Sequence, residues 1–134
     1  MPYLLDTNLI TQLLRRNPLV VERYRSVLER GEPVYLSAVV YYEVKRGLLH
    51  LGATSQLRQL DEAFKNVLQW LPVSDSTWDR AAHLWADCRR QGRPHDDDGD
   101  LLIAAQASAV GAVVVTRNTR DFADLHVTVE SWEA

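Results

Sequence analysis

Residues 101–116, LLIAAQASAVGAVVVT, constrain this chain more than any other stretch. Residues 101–110 are strong helix formers, Gly111 is the residue that most readily stops a helix, and 112–116 is the clearest strand in the sequence. Gln106, Ser108 and Gly111 interrupt the run, which falls short of the ~20 residues that a membrane span requires. A helix that passes directly into a strand, both apolar, predicts a layered α/β fold.

The rest of the chain repeats that alternation. Tyr3-Leu4-Leu5 is a short apolar run that stops at Asp6, the pattern of a buried parallel strand. Leu9, Ile10, Leu13 and Leu14 then fall at helical spacing, and Asn17-Pro18 reads as a cap and first residue of a second helix that Gly31 closes. Residues 34–36 form a second strand, and Ser37 suits the cap of a helix carrying Tyr42, Glu43 and Arg46, with Gly47 and Gly52 as punctuation. Leu57, Leu60, Phe64 and Leu68 share one face of a helix expected over 55–67, and 70–73 resembles a further strand. Asp75 or Ser76 caps a helix holding Trp78, Ala81, Trp85 and Cys88, and 127–129 is a last edge strand. The expected fold is α/β, a sandwich of helices around a short, mostly parallel twisted sheet.

Composition excludes several classes. With 46% hydrophobic and 25% charged residues, the chain is not of the disordered type. Its 134 residues suit one domain spanning 1–134, because a second would leave neither part an adequate core. The single Cys88 forms no internal disulfide and builds no Cys-based metal site, so it reads as a small packing residue of a reducing compartment. The N-terminus MPYLLDTNLI lacks a basic start and meets Asp6 early, which argues against a signal peptide and for a cytoplasmic protein. Net charge is −3, and all the basic residues except Lys45 and Lys65 are Arg, whose planar fork suits phosphate. The acids cluster once, in HDDDGD at 95–100.

Four acidic residues fall where such a fold places chemistry. Asp6 follows the first strand at its carboxyl end, where ligands bind in open α/β sheets. Glu43 lies under two turns into the helix after the second strand, Asp100 opens the apolar helix, and Asp121 follows the clearest strand. All four are expected on one rim. Like charges gathered without Lys or Arg repel, and a divalent cation removes that cost; hard oxygen ligands favour Mg²⁺ or Mn²⁺. His50, His83, His95 and His126 are scattered, with no zinc-ligand spacing. Several of the acids have a plainer reading as well, Asp100 being the hardest to explain that way because it directly precedes the apolar run LLIAA. Asp6 suits a helix cap, Glu43 a surface position, and Asp96, Asp97 and Asp98 a cap and dipole complement. Trp78 and Trp85, seven residues apart on one helical face, read as core or interface rather than as a base-stacking platform.

Taken together, YLLDTNLI (3–10), LSAVVYYEVKRG (36–47) and DLLIAAQASAVGAVVVTRNTRDF (100–122) resemble the PIN domain, and specifically the toxin nucleases of VapBC-type toxin–antitoxin pairs. GRP at 92–94 sits where these toxins often carry it. The resemblance implies a metal-dependent endoribonuclease that hydrolyses RNA phosphodiester bonds with an activated water, using Mg²⁺ or, in its place, Mn²⁺. Asp6, Glu43 and Asp100 correspond to the family's acidic triad. The fourth acidic position falls to Asp121 or to Asn118, which stands where many PIN domains have an acid. Thr7, Asn8 and Thr116 are expected to hold the carboxylates by hydrogen bonds. The resemblance further implies a homodimer and a VapB-like antitoxin whose basic side chain enters the acidic site. Leu9, Leu13, Leu14, Tyr41, Tyr42, Leu48, Leu49 and Leu51 are the apolar material for these contacts, about half of it expected to be core. Two other readings stand beside the nuclease. One is a binding module that a cation stabilises without catalysis. The other is a haloacid-dehalogenase-type phosphatase, against which Asn8 counts, because that family needs Asp there.

Overall fold

Every strand of the sheet is short, and every pairing is parallel. The computed structural model describes residues 1–133, with strands β1 (Tyr3–Leu5), β2 (Val34–Ser37), β3 (Gln69–Leu71), β4 (Val113–Val115) and β5 (Val129–Glu130) in the order β3-β2-β1-β4-β5. Six α-helices connect them: α1 (Thr7–Leu14), α2 (Pro18–Glu29), α3 (Ala38–Leu51), α4 (Thr54–Gln59), α5 (Asp75–Arg90) and α6 (Asp98–Val110). The chain leaves β1 toward β2 and β3, then returns to place β4 on the other side of β1. Connections after β1 and β4 therefore diverge, and a crevice opens at their carboxyl ends.

The core lies on both sides of β1 and β4. Leu4, Leu5, Val114 and Val115 are completely buried, as the uninterrupted apolar runs require. From Leu101 to Ala107 every residue of α6 is buried, which explains a helix with no polar face. Gly111 ends it at φ +66°, a conformation in which other side chains are strained. Trp132, 1% exposed, packs edge-on against Tyr3 at 5.8 Å between ring centroids.

Several expected boundaries move. The helix expected over 55–67 divides into α4 and a wide π-helical turn, Leu60–Lys65, marked by the Asn66 N–H donating to the Asp61 carbonyl at 2.9 Å. Leu60, Phe64 and Leu68 are spaced four apart and all buried, and the wider turn keeps such a row from drifting round the helix axis. Gly47 does not punctuate α3, which runs through it and ends at Gly52. Ser74, not Asp75 or Ser76, caps α5, its hydroxyl accepting from the Thr77 N–H at 3.3 Å. The third strand begins at Gln69 and the last at Val129. Leu9, Leu13, Leu14 and Leu48 are core, whereas Tyr42, Leu49 and Leu51 are exposed. Trp78 and Trp85 are exposed too, so the core reading of that pair fails. No helix among the described residues is long and apolar enough to cross a membrane.

Candidate active site at the carboxyl edge of the sheet

Strand register delivers the first contacts. Leu5 pairs with Val115, so the next residue of each strand, Asp6 and Thr116, stand side by side where the strands end. The Thr116 hydroxyl donates to Asp6 Oδ2 at 2.9 Å, and Asp6 Oδ1 accepts from the Thr7 N–H at 2.7 Å as the cap of α1. Both readings of Asp6 are therefore compatible: one oxygen caps the helix while the buried carboxylate borders the crevice. Asn8 accepts from the Arg117 N–H at 3.0 Å and reaches Thr116 Oγ1 at 3.5 Å, and that same hydroxyl oxygen accepts from the Asn118 N–H at 3.1 Å. Thr7 donates to Glu43 Oε1 at 2.6 Å, tying α1 to α3. Thr7 and Thr116 thus hold two of the acids by hydrogen bonds, whereas Asn8 hydrogen-bonds no carboxylate among the described residues and acts only on Thr116 and the Arg117 backbone.

Asp100 arrives from the third direction. Asp97 caps α6, its Oδ1 accepting from the Asp100 N–H at 3.2 Å, so the Asp100 side chain projects from the helix's first turn. A Cβ at Gly99 beside it would stand 2.8 Å from Glu43 Oε2 and 3.0 Å from Asp97 Oδ1, so a larger residue there would displace those carboxylates. Asp6, Glu43, Asp97, Asp100, Asn118 and Asp121 line one open cleft of about 440 Å³, and Arg15, Arg46 and Arg117 line it as well. Asp97 was readable in the sequence only as a cap, and it belongs to the cleft as well.

His95 is the residue that sequence reasoning missed. Its Nδ1 accepts from the Asp97 N–H at 3.3 Å, which leaves the Nε2 proton for the Asp121 carbonyl at 2.8 Å and for Asp100 Oδ2 at 3.5 Å. The ring links the segment before α6 to the 3₁₀ turn Thr119–Phe122. No spacing signal marks a lone His inside an acidic run.

The electrostatics are unbalanced. Among the described residues no Lys or Arg forms an ion pair with Asp6, Glu43, Asp97, Asp100 or Asp121; of the arginines lining the cleft, Arg117 pairs with Glu133 instead. Burial, followed by the charges of Asp97, Asp6, Asp121 and Glu43, pushes the Asp100 carboxyl up to about 8. Burial also raises Asp6, with smaller pushes from Glu43 and Asp121, but the hydrogen bonds from Thr7 and Thr116 hold it to about 6. As placed, no three of these side chains among the described residues close on a single point in the manner of a formed metal centre. The donor set nevertheless suits a hard divalent ion: all oxygen, excess negative charge, and an open side toward solvent.

Comparison with known proteins gives the same direction. The chain is 28% identical over 125 residues to Ribonuclease VapC1 of Haemophilus influenzae, covering 91% of this chain and 90% of that protein. It is 31% identical over 121 residues to Ribonuclease VapC19 of Mycobacterium tuberculosis, covering 89% and 90%. Among solved structures, DNA-bound VapBC from Salmonella typhimurium superposes with a TM-score of 0.83 at 25% identity, covering 98% of each chain. The family model of the PIN domain matches residues 3–127. With the sheet order, the acidic crevice and that match in agreement, the chain belongs to the PIN domain family.

Proposed function

We propose that this protein is a metal-dependent endoribonuclease and the toxin of a type II toxin–antitoxin pair. The observation that carries the reading is the convergence of Asp6, Glu43, Asp100 and Asp121, from four separate segments, on one cleft where no Lys or Arg among the described residues is ion-paired to any of them. Its setting in a chain similar to named ribonucleases supports RNA as the substrate. Asp6 and Asp100 would hold Mg²⁺ directly, with Mn²⁺ able to substitute; Glu43 would help directly or through water, and Asp121, or Asn118 in its place, would fill the fourth position. A bound Mg²⁺ supplies Lewis acidity, lowering the pKa of a water and neutralising charge on the scissile phosphate.

The protein's own groups do the positioning. Thr116 and the Thr7 N–H fix the Asp6 carboxylate in one orientation. The Thr7 hydroxyl does the same for Glu43, and Asp97 and His95 for the segment that carries Asp100. Asn118 lines the same cleft as Asp121 and would orient a water or take the fourth position itself. In-line attack leaves a 5′-phosphate and a 3′-hydroxyl.

For partners we infer a homodimer and a VapB-like antitoxin. The similar solved structure is a VapBC assembly on DNA, and the uncompensated carboxylates here would accept an Arg or Lys from a partner. Incubation with single-stranded RNA tests the activity. Cleavage is expected with Mg²⁺ or Mn²⁺, abolished by EDTA and by Asp6→Asn or Asp100→Asn in a folded protein. Undiminished cleavage by either variant would overturn the assignment.

A further inference from the structure

Beside the acidic cleft lies a second groove of about 340 Å³, within the size range of small-ligand sites. Its floor is aliphatic, from Val39, Val73 and Leu102, and Tyr42 and Trp78 flank it. These two rings are 60% and 58% exposed, an unusual amount of open aromatic surface so near a polar site. Glu43 and Arg46 line both the groove and the cleft, so whatever fills one touches whatever fills the other. The Arg46 guanidinium is 5.0 Å from the Tyr42 ring centroid, a cation held over an aromatic face at the boundary.

We propose that this groove seats a nucleobase, the one attached next to the phosphate held in the cleft, and that Trp78 and Tyr42 are its stacking partners. The inference rests on the nuclease reading and deepens it by specifying an unpaired strand as the substrate form. A ligand for both spaces must carry an anionic group for the cation-loaded cleft and an attached planar, uncharged ring for the aliphatic groove. A nucleotide meets both demands, and only an unpaired strand offers its base faces to aromatic side chains. Arg46, lining both spaces, is the cation available to the connecting backbone.

The test uses the full chain and fluorescently labelled single-stranded oligoribonucleotides, each with one abasic site at a different position. Affinities are read by anisotropy with Ca²⁺ in place of Mg²⁺. Wild-type protein should lose about tenfold in affinity when one particular base is removed. Trp78→Ala should bind the intact strand about tenfold more weakly and no longer sense that removal, whereas Trp78→Phe should keep both properties in large part. Trp78→Ala binding the whole series as wild type does would overturn the proposal. So would a change in solution mass on truncating Trp78, which would make the groove a contact between copies. Coupled binding without RNA cleavage in Mg²⁺ would retain the subsite and remove the nuclease reading, and cleavage without coupling would do the reverse. Absence of RNA binding would remove both.

Discussion

Asp100 is held at the mouth of α6 by the Asp97 cap, its side chain 14% exposed and surrounded by three further carboxylates that share the cleft. Burial and that surrounding charge raise its pKa to about 8, and burial raises Asp6 to about 6, both from an ordinary value near 3.8. Folded protein therefore keeps protons that the unfolded chain releases above pH ~4. The stability these two groups contribute is complete below that pH and is lost as pH rises through 6 and then 8. Metal-free protein should thus be less stable at pH 8 than at pH 5, by on the order of 2 kcal/mol once the cleft's access to water is discounted. Thermal melts in EDTA check this: Asp100→Asn should flatten the slope and melt higher than wild type at pH 8, and Mn²⁺ should raise the wild-type melt there. A wild-type slope of the opposite sign would refute the electrostatic account.

The elements set the site by what lies behind it. Gln106, buried on α6, accepts from the Ser37 hydroxyl at 2.5 Å and donates to the Leu71 and Pro72 carbonyls at 3.2 and 3.1 Å. One amide thereby joins the ends of β2 and β3 to the helix that presents Asp100. Gln106→Ala leaves a buried hydroxyl and two carbonyls without that partner, so urea denaturation should show a loss of about 2–3 kcal/mol. A change under 0.5 kcal/mol, the ordinary scatter of surface substitutions, would mean that water replaces the amide. Elements of this kind were legible where a local signal exists. The Asn17-Pro18 cap, the Gly111 stop and the apolar strand runs each act within a few residues. The π-helical turn was not, because its signal is a row of three core side chains spaced four apart, which an α-helix also tolerates. Ser74, Asp75 and Ser76 are all good caps, and only the tertiary path of the chain selects Ser74 among them.

At the scale of the whole molecule, the strand order places the diverging connections after β1 and β4 beside each other, and the cleft follows from that divergence. The sequence disclosed Asp6, Glu43, Asp100 and Asp121 as residues near strand ends or helix starts, and the fold brings them to one cleft. It did not disclose His95 or the second role of Asp97, since His95 contacts a 3₁₀ turn more than twenty positions away and Asp97 meets the other acids only in the folded cleft. Nor did it separate core from surface among the apolar residues of α1 and α3. The fold buries Leu9, Leu13, Leu14 and Leu48 and leaves Leu49 and Leu51 outside, 58% and 74% exposed. Those two are the apolar surface we assign to the homodimer. Light scattering across the micromolar range should give twice the 15.3 kDa chain mass, and a single-chain mass throughout would contradict the dimer.

Everything proposed for the cleft depends on its carboxylates holding a divalent ion, and calorimetric titration of metal-free protein with Mn²⁺ measures that without involving RNA. Wild type at pH 8 should show saturable binding that weakens more than about tenfold in Asp100→Asn. Wild-type binding should also weaken from pH 8 to pH 6, as Asp100 takes up its proton. Isotherms for wild type and Asp100→Asn that coincide at pH 8 would contradict the account.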